Sequence, residues 1–61
     1  MNIFEDMADR FEKRMRDALL NYGDDPEPCH AAMDLIMCET LEELGFDAGI
    51  KIFRHCEKWY S

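Results

Sequence analysis

The hexapeptide Gly-Asp-Asp-Pro-Glu-Pro at residues 23–28 separates two helical patterns and decides the fold. Gly23 ends the first pattern. Asp25 is a suitable N-cap for the second, and Pro26 suits the first helical position, where the amide is unpaired in any case. Pro28 is tolerated in the same first turn. Because the connection is short, the hexapeptide predicts a turn between two antiparallel helices.

Apolar residues on both sides of this turn recur at three- and four-residue steps, as in amphipathic helices. The first stretch predicts a helix over about residues 3–21, with Asn2 as N-cap and Glu5 completing a capping box. The second predicts a helix over about residues 26–44, which Gly45 ends at the C′ position. The predicted core-facing residues of the second helix are Cys29, Met33, Ile36, Met37, Thr40 and Leu44, widened by Ala32 and Leu41.

A third helix is predicted over about residues 48–59, with Asp47 as its N-cap and Gly49 allowing close approach near its start. Its predicted buried stripe comprises Ile52, Phe53, Cys56, Trp59 and Tyr60. No stretch alternates with a period of two for long, and no linker divides the chain. We therefore predict a single all-α domain over residues 1–61, a compact antiparallel three-helix bundle.

The negative charge is concentrated in the middle of the chain. Residues 23–45 contain seven acidic residues and no lysine or arginine, which alone accounts for the net charge of −7. A solvated helix usually mixes signs, because like charges at i,i+4 are destabilising. Glu42 and Glu43 also fall in the last turn of the second helix, where the helix dipole disfavours each by roughly 0.3–1 kcal/mol. This charge favours a protein partner with a basic surface.

The face of the second helix opposite its predicted core combines acids with apolar residues. At about 100° per residue it contains Glu27, Ala31, Asp34, Leu35, Cys38, Glu39 and Glu42. An apolar centre with a polar rim is typical of protein contact surfaces, although single exposed apolar residues are also common. The residues predicted to contact a partner are Glu27, Asp34, Leu35, Glu39, Glu42 and Glu43.

Three apolar residues fall outside the predicted stripes, namely Leu20, Leu35 and Ile50. Together they indicate a homo-oligomer, such as a dimer, or another partner surface. A domain of this size buries only about 60% of its unfolded surface and is marginal alone. Self-association is one usual remedy, and the basic residues of the first helix could face the acidic second helix of a neighbouring copy.

Other kinds of site have weaker support in the residues. The pairs Cys29-His30 and His55-Cys56 contain metal-ligand types, but they lack the two-to-four-residue spacing of structural zinc motifs. No glycine-rich phosphate loop occurs, and three short helices leave little room for a ligand pocket. We expect no enzyme activity, cofactor or metal. Basic residues interleaved with acids also argue against direct nucleic-acid binding.

The three cysteines have no paired spacing, so we expect free thiols. A metal- or redox-responsive module that uses Cys29, Cys38 and Cys56 is a further alternative. No run approaches the ~20 apolar residues of a membrane span, and the acidic start is not a signal peptide. We therefore expect a cytoplasmic protein without membrane contact.

The chain resembles small acidic proteins encoded by bacteriophages and prophages, among them anti-CRISPR proteins and other inhibitors of host defence. The resemblance lies in size, the acidic run at residues 24–43, the start Met1-Asn2-Ile3-Phe4 and the ending Trp59-Tyr60-Ser61. It implies a non-enzymatic inhibitor that occupies a basic, nucleic-acid-binding surface of a host protein, such as a CRISPR-Cas effector, in the host cytoplasm. The group is defined by role, so no functional residues are carried over. The alternative is a structural homo-oligomer whose acidic face serves only solubility.

Overall fold

The computed structural model describes residues 2–56, which form three α-helices and no strand. These are α1 (Ile3–Tyr22), α2 (Pro26–Glu43) and α3 (Asp47–His55). The predicted all-α class with three helices is confirmed. α1 and α2 each end within one residue of the predicted position. α3 ends at His55 because the backbone at Cys56 is extended. Two residues of the predicted α3 stripe, Trp59 and Tyr60, lie outside the described residues.

Local chemistry fixes the helix ends. The Asn2 side chain accepts a hydrogen bond of 2.8 Å from the backbone N–H of Glu5, as an N-cap does. Asp25 occupies the N-cap position of α2, although its side chain makes no capping hydrogen bond. At the other end of α2, Gly45 has a φ of +93°, a conformation that favours glycine.

The turn after α2 is a Schellman motif. The N–H of Phe46 donates to the carbonyl of Leu41, and the N–H of Gly45 donates to that of Glu42, each at 3.0 Å. Phe46 is then the N-cap residue of α3, and Asp47 is its first helical residue. The prediction of Asp47 as the N-cap is therefore wrong by one position, because the carbonyl of Phe46 already accepts a helical hydrogen bond from the N–H of Ile50. Asp47 still lies in the first turn, where the helix dipole favours an acid.

The three helices lie in one layer with α2 in the middle. The chain spans 42 × 30 × 7 Å, and a thickness of 7 Å is only slightly more than the Cα diameter of one helix, about 4.6 Å. Within the described residues α1 and α3 each pack on α2 and do not pack on each other. α1 and α2 are antiparallel, because Cys29 contacts Ala18 near the turn and Glu43 pairs with Arg10 at the far end.

α2 therefore buries two opposite sides. Cys29 and Ile36 are buried towards α1, at 5% and 6% exposure, whereas Cys38 is buried at 6% in the groove that also contains Ile50 of α3. Cys38 follows Ile36 by two residues, about 200° around the helix. The prediction that Cys38 faces outward is wrong, because it assumed one buried stripe. A helix with two neighbours needs apolar residues on both sides.

The buried side of α3 also differs from the predicted one. Ile50, predicted to lie off the stripe, is 7% exposed, whereas Ile52, predicted to be buried, is 74% exposed. Phe53 and Cys56 are exposed as well. Gly49 was predicted to allow close approach, but a Cβ added there would meet no heavy atom within 4 Å. α3 therefore packs through a narrower contact than the apolar pattern indicates.

No helix within residues 2–56 combines the length and the apolar character needed to cross a lipid bilayer.

Candidate protein-binding surfaces

One side of the layer carries a continuous apolar surface made of two grooves. The groove between α1 and α2 has a volume of about 410 Å³. It is lined by Phe4, Met7, Ala8, Phe11, Met37, Thr40, Leu41 and Leu44. The groove between α2 and α3 measures about 310 Å³ and is lined by Asp34, Met37, Cys38, Leu41, Ile50 and Phe53. Because Met37 and Leu41 line both grooves, the two form one surface across all three helices, which we call the apolar face.

The apolar face is open to solvent. Phe4 is 66% exposed, and Met37, Leu41, Leu44 and Phe53 are each 40% exposed. Residues 2–56 form a single layer and provide no second layer to cover this side, although stable domains normally bury such a face against another element. Contiguous exposed apolar surface, unlike scattered apolar residues, marks sites of interaction.

The opposite side of α2 carries three of the residues predicted to contact a partner. Leu35 and Glu39 each lie two positions from Met37, about 200° around the helix, and therefore point away from the apolar face. Glu42 lies on the same outward side. Leu35 is 47% exposed, whereas Glu39 and Glu42 are partly buried. We call Leu35, Glu39 and Glu42 the α2 ridge.

Ion pairs within the chain occupy three of the predicted acids. Glu39 pairs with Arg14 at 2.5 Å, and Glu43 pairs with Arg10 at 3.5 Å. Arg10 and Arg14 are four residues apart, and so are Glu39 and Glu43. Because the two helices are antiparallel, the first arginine pairs with the second glutamate and the second arginine with the first. Arg10 and Arg14 thus pair with acids of their own α2, whereas the prediction had the basic residues of α1 facing a neighbouring copy. Lys13 and Arg16 pair with acids of α1 itself.

The third ion pair joins α2 to α3, where Arg54 donates to Glu42 at 3.0 Å. The paired side chains of all three contacts are 38–63% exposed. Exposed pairs of this kind contribute roughly 0.2–1 kcal/mol each. Their main consequence is electrostatic, because they neutralise much of the negative charge that α2 carries.

The remaining predicted contact residues lie apart from the ridge. Glu27 is exposed beside Asp24 and Asp25, and among the described residues none of these three forms an ion pair. We call them the acidic turn. Asp34 is partly buried and lines the groove between α2 and α3. Glu43 lies on the side of α2 that faces α1, where it pairs with Arg10. The predicted contact residues are therefore distributed over the turn, a groove, the ridge and the α1 side of α2, and they do not form one surface.

The three cysteines form no disulfide bond with one another. Cys29 and Cys38 are buried, and Cys56 is exposed. Cys29 and Cys38 lie on opposite sides of α2, since nine residues correspond to about 180°. Over residues 2–56, no three His, Cys, Asp or Glu side chains are grouped so that they could hold a metal ion.

The sequence interpretation missed the apolar face because it assigned these residues to a core. Met37, Thr40 and Leu44 of α2 were all predicted to face inward. A usable signal was present, since α2 has apolar residues on nearly every side, including Leu35, Cys38 and Leu41. A helix with apolar residues on so many sides is expected to have neighbours on more than two of them.

Comparison with known proteins adds no assignment, since no family model, no curated protein and no solved structure matches this chain. Functional inference therefore rests on the chain's own residues.

Proposed function

We propose that the chain is a non-enzymatic protein-binding module and that the apolar face is its contact surface. The observation that supports this proposal is the continuity of the face, since Met37 and Leu41 join the two grooves. The buried centres of protein interfaces are poor in charge and rich in aromatic residues and methionine. The apolar face has this composition, with Phe4, Met7, Phe11, Met37 and Phe53.

The polar chemistry of the larger groove favours a protein over a small molecule. Small-molecule sites combine apolar walls with a few polar groups that orient the ligand. Of the described residues that line this groove, Thr40 has the one polar side chain. Its hydroxyl donates a hydrogen bond of 2.8 Å to the carbonyl of Ile36. Because that donor is already used within α2, the groove favours a partner that presents apolar side chains.

Two adjacent residues of α1 provide a matched test of this proposal. Phe4 lines the groove and is 66% exposed, whereas Ile3 is 68% exposed and is not among the groove's lining residues. Burial of a phenylalanine stabilises a contact by about 1.5–3 kcal/mol, which corresponds to roughly tenfold or more in affinity. We expect Phe4→Asp to lower the binding of retained proteins at least tenfold and Ile3→Asp to change it little.

The measurement is quantitative mass spectrometry of proteins captured from a bacterial lysate on immobilised wild-type and variant chains. An untagged, isotope-labelled copy of the chain is added to the lysate. Its retention measures self-association in the same experiment as the retention of other proteins. Equal retention by Phe4→Asp and wild type would contradict the role of the apolar face.

The acidic turn supports a second candidate function, that of an inhibitor. In this proposal the chain occupies a basic, nucleic-acid-binding surface of a host protein, such as a CRISPR-Cas effector, in the host cytoplasm, as the resemblance to phage proteins implies. Asp24, Asp25 and Glu27 are exposed, and no ion pair among the described residues neutralises them. Unpaired acids at one end of a chain with a net charge of −7 would attract such a surface and speed association.

A charge reversal tests the inhibitor proposal. The double variant Asp24→Lys/Glu27→Lys leaves the N-cap residue Asp25 in place. We expect it to slow association with a basic effector about tenfold at low salt and to weaken the salt dependence of the rate. The control is Asp6→Lys/Asp9→Lys on α1, which changes the net charge equally. The readout is displacement of fluorescent single-stranded nucleic acid from the purified effector. A similar loss in both double variants would mean that net charge alone matters.

A further inference from the structure

We infer that a second copy of this chain covers the apolar face, giving a two-layer dimer in which the two apolar faces meet. This inference rests on the proposed protein-binding function and names the occupant of its contact surface.

The side chains that stay exposed on the apolar face within residues 2–56 are those that a dimer interface would bury. Phe4 is 66% exposed, and Met37, Leu41, Leu44 and Phe53 are each 40% exposed. A standard interface buries about 800 Å² on each partner and has an apolar centre. These five side chains span both grooves and supply such a centre.

The charge distribution favours a copy over a basic partner on this face. A two-fold interface places the same patch on both sides, so the patch must be compatible with itself. Among the residues that the structure describes, no charged side chain lines the groove between α1 and α2. Two such grooves can meet without like-charge contact, whereas a basic partner would find no acid there. Asp34 lines the smaller groove, and the α2 ridge points to the opposite side of the layer.

The arrangement of helices also suits a copy. α1 and α2 form an antiparallel hairpin, and two hairpins packed face to face form a four-helix bundle. The α3 helices then flank the bundle, each against its own α2. The dimer supplies the second layer that a hydrophobic core requires, while the ion pairs of Glu39 and Glu42 stay on the outer surface. It also supplies the self-association that a chain of this length commonly needs.

The test compares two leucines of α2 by light scattering after size exclusion at several concentrations. Leu41 lines both grooves and is 40% exposed, and Leu35 lies on the ridge at 47%. We expect the wild type to have twice the chain mass of 7.2 kDa. Leu41→Glu should raise the dimer dissociation constant at least about 100-fold, because each dimer contains two such sites. Leu35→Glu should remain dimeric. Circular dichroism verifies that each variant is helical.

A second measurement needs no variant. In a mixture of isotope-labelled and unlabelled chains, we expect intermolecular nuclear Overhauser effects at the methyl groups of Met7 and Met37. A folded wild-type monomer at 100 μM, or a dimer without these effects, would overturn the inference. If the wild type is a monomer and Phe4→Asp reduces its binding of another protein, the proposed function stands and only the second copy is excluded. If Leu41→Glu leaves the dimer dissociation constant unchanged and Phe4→Asp leaves the retention of captured proteins unchanged, both proposals fail.

Discussion

Replacing Ile36 by alanine is expected to lower the free energy of unfolding by about 2–4 kcal/mol. Ile36 is 6% exposed and lies on the side of α2 that packs on α1. Truncation removes buried apolar atoms and leaves a cavity that the neighbouring side chains fill only in part. A chain of 61 residues has a total stability of roughly 3–9 kcal/mol. The loss is therefore a large part of the total, so the urea midpoint of the variant should lie well below that of the wild type.

The control for this prediction is the preceding residue. Leu35 is in the same helix and is 47% exposed, so Leu35→Ala should cost less than about 1 kcal/mol. Urea denaturation followed by circular dichroism measures both variants. Protein concentration must be the same in all samples, because the stability of a dimer depends on it. Equal losses in the two variants would show that α2 does not pack on α1 through the side that contains Ile36.

Replacing Ile50 by aspartate is expected to release α3 from α2 while α1 and α2 stay packed. Ile50 is 7% exposed and lines the groove with Cys38. A carboxylate at this position would be buried without a hydrogen-bond donor or cation provided for it, at a cost of several kcal/mol. α3 has nine residues, and isolated helices shorter than about 12–15 residues are marginal in water. α3 packs on no other helix within the described residues, so it should unfold locally.

Amide hydrogen exchange measures this local unfolding. In Ile50→Asp the protection of α3 amides should fall at least about 100-fold, and that of α1 and the first half of α2 should change only a few-fold. Ile52→Asp is the matched control, since Ile52 is in the same helix and is 74% exposed. Loss of protection in all three helices would contradict the prediction, because it would mean that the hairpin needs α3.

The ends of α1 and α2 could be predicted from the sequence because they depend on neighbouring residues alone. Asn2 caps α1, Pro26 begins α2, and Gly45 supplies the positive φ that ends it. Each of these signals acts within one turn of helix. Their success does not depend on how the helices are arranged.

The arrangement of the helices could not be predicted in the same way. An amphipathic stripe shows that a face is apolar, but not which element covers it. For α2 a single stripe was assumed, so Cys38 was placed outside although it is buried towards α3. Conversely, Met37 and Leu44 were placed in a core although they lie on the apolar face. The same apolar pattern fits coverage by another helix or by another molecule.

The ion pairs had a partial signal in the sequence. Arg10 and Arg14 have the same spacing as Glu39 and Glu43, and an antiparallel hairpin brings such pairs into register. The spacing alone left open whether the acids belong to the same chain or to a neighbouring copy. The contact with α3 also had a signal, since the short turn after α2 brings Arg54 or Lys51 within reach of Glu42 and Glu43, and the pair that forms is Arg54 with Glu42.

In the single layer of helices, packing contacts follow the order of the helices along the chain. Within residues 2–56 each helix packs only on the helix next to it in sequence, as repeat units do in solenoid proteins. Its stability is then approximately the sum of one hairpin and one docked helix. Within the described residues, a change in α1 can reach α3 only through α2. Any communication between the two outer helices of one chain therefore has a single route, unless a neighbouring molecule provides another.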